Sequence, residues 1–344
     1  MTDLFFDYEL PHERIAQEPA EPRDAARLLV IRGDRFEHYH FRDLPELLSP
    51  GDLVVLNDTK VLPARLIGRR AGTGGKWECL FLREFDGGDW EVMSQTRGYP
   101  QPGERFITDS GLSLVLTGRT PERHWLMRPD RAGSPHELLT QFGHVPLPPY
   151  IRKGRSQAED EARYQTVYAN VAGSVAAPTA GLHITPQVLD GFSRRGIGTA
   201  RVTLHVGLGT FAPVTVADPR QHAIHAEWCD VPMETVKAVE RTRAVGGRVI
   251  AIGTTAVRSL ESAARSGALA PFRGPTDLYI HPPYSFRAID GLVTNFHLPR
   301  TTLLLLVQAL TGSSRLKRAY EEAIREGYRF YSYGDAMVMI PDNA

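Results

Sequence analysis

The sequence predicts an α/β protein whose body is interrupted by a smaller, β-rich insert. Three observations lead there. From residue 146 onward, short apolar runs alternate with helix-period segments, the texture of an α/β layer with substantial parallel pairing. Between Arg65 and Asp130 that texture gives way to repeated short stretches of alternating apolar and polar residues. Apolar strands of the first kind also precede the insert, so α/β character stands on both sides of it. At 344 residues the chain is long enough for two domains. An α/β body over residues 1–64 and 146–344 and an insert over 65–145 are expected.

The elements follow in order. Leu28-Leu-Val-Ile31 and Leu53-Val-Val-Leu56 are apolar runs bounded by polar, Gly and Pro signals, so they read as buried strands. Asn57-Asp-Thr-Lys60 closes the second. In the insert, Trp77-Glu-Cys-Leu-Phe-Leu82, Trp90-Glu-Val-Met93, Arg105-Phe-Ile107, Leu112-Ser-Leu-Val-Leu116 and His124-Trp-Leu-Met127 are separated by Gly- and Asp-rich punctuation. Short strands at this spacing mean a small β-barrel or a sandwich. Beyond Pro146-Leu-Pro-Pro-Tyr150 and a polar linker, helices are expected over 186–195, 233–244, 255–264, 301–310 and 316–325. Strands are expected over 200–206 and 248–252. Thr185 suits the N-cap of the first helix, with Pro186 at its first position.

Hydrophobic residues make up 42% and charged residues 23%, the balance of an ordinary globular protein. Formal net charge is zero. That removes a global electrostatic argument for nucleic acid but leaves room for a local stripe of cations. The lysines are Lys60, Lys76, Lys153, Lys237 and Lys317; the other cations are arginines. Arginine suits bidentate phosphate contacts, and a base-composition bias produces the same excess. Cys79 and Cys229 are too few for a disulfide framework or an iron–sulfur cluster. The acidic start lacks the marks of a signal peptide, and the longest apolar run, 303–307, is far too short to span a bilayer. A cytoplasmic protein is expected.

The segment Gly173-Ser-Val-Ala-Ala-Pro-Thr-Ala-Gly-Leu-His-Ile-Thr185 is too rich in small residues to be an ordinary helix or strand. Its Pro and Gly residues set special backbone angles, and it carries Thr179, Gly181 and His183. A second such segment, Leu204-His-Val-Gly-Leu-Gly-Thr-Phe-Ala-Pro-Val214, carries His205, Gly207, Gly209 and Thr210. Two Gly-rich, His-bearing loops after apolar runs suggest a pocket built on close backbone approach to a ligand. In Arg248-Val-Ile-Ala-Ile-Gly-Thr-Thr255 a strand runs into a helix start at Gly253, Thr254 and Thr255. Amides and hydroxyls there face a polar or anionic ligand beside the positive helix end, although a plain helix cap has the same residues. Arg258 and Glu261, three apart, are placed to pair on that helix.

Leu292-Val-Thr-Asn-Phe-His-Leu-Pro299 ends a strand with Asn295 and His297; the amide offers donor and acceptor to a base or ribose edge. The bland alternative is a turn residue beside a core histidine. His222, His225 and Glu227 form a His-x-x-His-x-Glu pattern without a further ligand at diagnostic spacing. A hydrogen-bonding His225/Glu227 pair on one face of a strand is preferred over a metal site. The three tyrosines around Gly334 either stack bases or form an aromatic core face. Basic clusters stand at Arg65/Arg69/Arg70, Arg152/Lys153/Arg155, Arg194/Arg195 and Arg315/Lys317/Arg318. No Gly-x-Gly-x-x-Gly follows a strand and no P-loop or Cys-rich radical motif is present, which disfavours dehydrogenase, nucleoside-triphosphate and radical classes.

These segments, together with Phe6-Asp-Tyr-Glu-Leu-Pro11, Leu56-Asn-Asp-Thr-Lys-Val-Leu-Pro-Ala-Arg65, Pro146-Leu-Pro-Pro-Tyr-Ile151, Arg163-Tyr-Gln-Thr-Val-Tyr168 and Tyr331-Ser-Tyr-Gly-Asp-Ala-Met337, resemble one family in order and in joint presence. It is the S-adenosylmethionine:tRNA ribosyltransferase-isomerases of the queuosine pathway. Ile184 departs from the family's Phe, and His281-Pro-Pro-Tyr284 from its Tyr-Pro-Gly-Tyr. The resemblance implies a large mixed α/β domain with a smaller inserted β-barrel. It implies ribosyl transfer from S-adenosylmethionine to the aminomethyl-deazaguanine at the tRNA wobble position, with isomerisation to epoxyqueuosine and loss of adenine and methionine. It implies no metal or other cofactor. A monomer without membrane attachment is expected.

Such chemistry needs a base for the acidic proton beside the sulfonium and a proton donor for departing adenine. His183, His205, His225 and His297 are the acid–base candidates. Asp58 and Glu227 are candidates for electrostatic steering. Segments 177–185, 205–211, 253–255 and 295–297 are expected to converge on S-adenosylmethionine at strand carboxyl ends. Arg152, Lys153, Arg155, Arg194, Arg195, Arg315, Lys317 and Arg318 are the candidate tRNA contacts. The runner-up is a metal-dependent hydrolase using His222, His225 and Glu227; a third reading is a non-enzymatic RNA-binding module.

Overall fold

A computed structural model describes residues 5, 7–207, 214, 216 and 218–341. The chain divides into two compact units, Met1–Lys60 with Gln165–Ala344, and Val61–Tyr164.

In the larger unit, nine strands form one mixed sheet. Its order is Phe272–Thr276, Glu227–Val231, Gly198–Leu204, Leu53–Asn57, Val249–Ile252, Gly291–Asn295, Ala336–Met339, Arg27–Arg32 and Arg35–His40. The four strands from Gly198–Leu204 to Gly291–Asn295 run parallel, with Val202 opposite Asn57 and Ile252 opposite both Leu56 and Val293. Their apolar runs are continuous because both faces are covered. Leu53, Val55, Val249 and Ala251 face one core, packed by helices Met233–Ala244, Thr254–Ala263, Thr302–Thr311 and Ser313–Arg325. Val54, Leu56, Ile250 and Ile252 face the other, packed by helix Pro186–Arg194. Thr185 caps that helix, accepting from Val188 N at 3.3 Å, with Pro186 just inside.

The smaller unit holds a closed, six-stranded antiparallel barrel: Arg65–Arg70, Lys76–Glu84, Trp90–Thr96, Arg105–Thr108, Ser113–Arg119 and Trp125–Pro129. Of barrel and sandwich, the barrel is the one formed. Alternate residues point inward, so Trp77, Cys79 and Phe81 of one strand are buried with Trp90, Phe106, Trp125 and Met127. Ring pairs Trp77–Phe106 and Phe106–Trp125 lie 5.1 and 5.4 Å apart.

This unit runs to Tyr164, beyond the expected boundary at 145. The cause is local. Arg65 and His144 exchange backbone hydrogen bonds of 3.1 and 2.8 Å, and the Arg65 guanidinium donates to the Gly154 carbonyl. Arg152 in turn binds Asp160. At Gly143 an added Cβ would sit 1.8 Å from the Pro63 carbonyl oxygen and 2.7 Å from that of Leu139. Both obstacles are backbone. Gly143→Ala is therefore expected to destabilise the protein by about 1–3 kcal/mol, seen as a lower urea midpoint. An unchanged midpoint would show that the Pro63 segment moves aside without cost.

Candidate functional site

The parallel strands of the larger unit end side by side, at Asn57, Leu204, Ile252 and Asn295. Ligands of α/β sheets bind outside such ends. Strand Gly198–Leu204 stops earlier than the expected 206; His205 follows it directly, its backbone amide donating to Trp228 O at 2.9 Å. Gly253 follows Val249–Ile252 with φ of 88° and ψ of 151°, a conformation that favours glycine, and it starts helix Thr254–Ala263. Segment Thr179–His183 is a short 3-10 helix packed on the Gly291–Asn295 strand. Three of the expected segments thus gather at this edge with His205, Val206 and Gly207 of the fourth. Gly209 and Thr210 lie outside the described residues.

Asn57, absent from the sequence-based candidates, ties the ends together. Its Nδ2 donates to Leu204 O at 3.0 Å and Thr255 Oγ1 at 3.1 Å; its Oδ1 accepts from Leu204 N at 3.0 Å and Thr59 N at 3.2 Å. The buried Asp58 carboxylate accepts from Thr203 Oγ1 at 2.7 Å and Asn170 Nδ2 at 3.5 Å. Thr59 Oγ1 bonds His205 Nδ1 at 2.8 Å, and the His205 ring stacks on Trp228 at 5.1 Å. Burial lowers the His205 pKa below its ordinary 6.5, and the nearby Asp58 charge partly opposes that. The ring is only half-buried. It is neutral near pH 7, oriented and accessible, the state required of a proton acceptor.

His183 and His297 differ. His183 is 5% exposed, lies 4.9 Å from the Phe41 ring and meets Asn295 Nδ2 through Nε2 at 3.2 Å. Burial pushes its pKa down to about 4. His297 bonds Thr294 Oγ1 through Nε2 at 2.9 Å, and burial pushes it down to about 3. Both remain neutral in the fold but take up a proton near pH 6.5 when unfolded. Their contribution is present above pH 6.5 and is lost as pH falls toward 4 and then 3. The melting temperature should therefore drop over that window. His297→Gln should flatten the dependence by about one proton; an identical slope in wild type and variant would refute this.

Three buried polar atoms at this edge have no hydrogen-bond partner among the described residues: Thr166 Oγ1, Tyr168 Oη and Asn295 Oδ1. Orphans of this kind need a ligand or water. An added Cβ at Gly181 would stand 2.0 Å from the Tyr168 hydroxyl, so the glycine leaves that hydroxyl its space. Thr179 is partly exposed, whereas Thr254 and Thr255 are buried. Tyr168 was visible in the sequence only as a member of a matching block.

The His222/His225/Glu227 set does not form a metal centre. Glu227 opens its strand, whereas His225 precedes it and is exposed, so the two do not share a strand face. Glu227 Oε1 accepts from Gly207 N at 2.8 Å and Oε2 pairs with Arg258, both side chains being buried. Among the described residues, no three His, Cys, Asp or Glu side chains group so as to hold a metal. Arg258 thus pairs with Glu227 and not with Glu261, which accepts from Tyr284 Oη, Arg287 N and Ala288 N. Tyr328, Phe330 and Tyr333 are buried in the core and unavailable for base stacking.

The basic clusters separate by partner. Arg315 and Arg318 face Asp34, and Arg152 is held by Asp160. Lys153, Arg155, Arg194, Arg195 and Lys317 are exposed. Among the described residues, no helix is long and apolar enough to cross a membrane.

The family model described as queuosine biosynthesis protein matches residues 4–339. The chain is 49% identical to an S-adenosylmethionine:tRNA ribosyltransferase-isomerase of Symbiobacterium thermophilum, covering 97% of this chain and 98% of the relative. It is 50% identical to the protein of that name from an Azoarcus species, covering 97% and 96%. A crystal structure of S-adenosylmethionine tRNA ribosyltransferase from Thermotoga maritima aligns with a TM-score of 0.56 at 37% identity, over 97% of this chain and 99% of that one. This chain belongs to the queuosine biosynthesis family, among relatives named S-adenosylmethionine:tRNA ribosyltransferase-isomerase.

Proposed function

We infer that this protein is an S-adenosylmethionine:tRNA ribosyltransferase-isomerase. It moves the ribosyl moiety of S-adenosylmethionine onto the aminomethyl-deazaguanine at the tRNA wobble position and isomerises it to epoxyqueuosine, with release of adenine and methionine. Beyond kinship, one observation supports the reading. Polar groups converge at the carboxyl edge of four parallel strands, around the half-buried His205 and three unsatisfied buried polar atoms.

In this reading His205 takes the proton beside the sulfonium. Thr59 fixes the ring through Nδ1, and the Asp58 charge stabilises the imidazolium that forms. Thr166, Tyr168 and Asn295 supply directional contacts to the nucleoside. His183 positions Asn295 and does not itself exchange protons near neutral pH. The reaction is tested by incubating the protein with S-adenosylmethionine and tRNA carrying the aminomethyl-deazaguanine. Free adenine and the corresponding mass increase of the modified nucleoside are expected; release of neither rejects the assignment.

A further inference from the structure

On the smaller unit an open groove of about 680 Å³ is lined by Arg65, Arg69, Lys76, Arg97, Lys153 and Arg155, with Glu78 and Asp109 as its only carboxylates. Arg65 is paired with Glu78. The other five cations are exposed, and none has a carboxylate partner among the described residues. The barrel's register explains the grouping. Arg69 pairs with Lys76 across two strands, and Trp77 pairs with Thr96, which puts Arg97 just past the end of the third. A further part of the lining comes from unusual backbone: Arg152, Lys153 and Gly154 have φ of 43°, 54° and 75°. Left-handed non-glycine residues are strained. Here that turn anchors Arg152 on Asp160 while Lys153 and Arg155 line the groove.

Two residues beyond Arg97 stands Tyr99, 91% exposed. Its turn is held: Arg70 donates to Arg97 O at 3.0 Å and binds Glu104 through Nε at 3.1 Å. A solvent-facing aromatic ring two residues from the groove's Arg97, together with unpaired cations, is the combination that binds single-stranded RNA: cations track the phosphates and the ring stacks on an unpaired base. A duplex would engage the cations but offer nothing to the ring.

We propose that this barrel groove docks the tRNA substrate through an unpaired loop, with Arg69, Lys76, Arg97, Lys153 and Arg155 on phosphates and Tyr99 stacked on a base. The proposal rests on the ribosyl-transfer reading only for the identity of the RNA.

The test is fluorescence anisotropy with labelled substrate tRNA across a salt series, beside adenine release. Arg69→Ala/Lys76→Ala/Arg97→Ala should bind at least about tenfold more weakly, with a log–log salt slope shallower by about 2–3. Lys153→Ala/Arg155→Ala, in the turn that also lines the groove, should act in the same direction. Tyr99→Ala should weaken binding by about tenfold with an unchanged slope, because stacking releases no counterions. All three sets change exposed side chains, and melting temperatures confirm the fold. Wild-type affinity and slope in both charge variants overturn the groove; wild-type affinity in Tyr99→Ala overturns the stacking. Equal competition by inorganic polyphosphate and by an RNA hairpin loop, at equal phosphate, overturns the RNA assignment. If the wild-type protein releases no adenine, the ribosyl-transfer reading fails, while the isotherms still decide the groove.

Discussion

Replacing Glu227 by alanine is expected to cost about 3–5 kcal/mol of stability. The carboxylate is 6% exposed and its partner Arg258 4% exposed. Without Glu227 the guanidinium keeps, among the described residues, only carbonyl contacts, Leu278 O at 3.1 Å and Thr276 O at 3.5 Å, and stays buried as an uncompensated charge. Gly207 N also loses its acceptor, so the backbone next to His205 is less firmly held. Removing both charges should be far milder: Glu227→Gln/Arg258→Met leaves no buried ion and keeps an acceptor for the Gly207 amide. Urea midpoints for the single and double variants measure the difference, and adenine release per folded molecule accompanies them. A Glu227→Ala protein of wild-type stability but without activity would instead restore Glu227 to the steering or metal-ligand role considered from sequence.

His205→Phe is expected to do the opposite, lowering turnover about 10²–10⁴-fold while changing stability by only about 1 kcal/mol. Phenylalanine retains the stack on Trp228 and loses one hydrogen bond, to Thr59. The pH profile provides a second check. A base must be unprotonated, so kcat/KM should rise with pH through a pKa below 6.5 and level off above it. Because Asp58 raises that pKa, Asp58→Asn should move the rising limb to lower pH. A limb that moves up, or a His205→Phe protein of wild-type turnover, eliminates His205 as the base.

The sequence was most legible where one period dominated. The runs at 28–31 and 53–56 and the helix at 233–244 appear as expected, because a doubly covered sheet and an amphipathic helix write their burial directly into residue order. Strands Arg35–His40 and Phe272–Thr276 were not anticipated; their charged, Gly- and Pro-containing sequences are tolerated because they sit at the sheet's two edges. The candidate site was legible as a set of strand ends. Roles within it were not. His183, His205 and His297 look alike in sequence, and only their surroundings separate them: a buried ring on Asn295, a half-buried ring on Thr59 beside the Asp58 charge, and a ring on Thr294 whose pKa is pushed down furthest. Pairing across long separations was equally hidden, as with Glu227, whose partner lies 31 residues away on a helix.

Asn57 shows what kind of information a buried position can carry. Its amide is fully committed: two donor contacts on one side, two acceptor contacts on the other, joining two strands, a helix start and the residue that holds His205. Aspartate has the same outline, yet it would point a second oxygen at the Leu204 carbonyl. Leucine, of comparable bulk, would leave the Leu204 amide and carbonyl without their partners. Shape therefore says almost nothing about which residue is admissible here; polarity, atom by atom, says nearly everything. Position 57 is thus specified by the direction of its dipole, and a single exchange of nitrogen for oxygen changes its meaning.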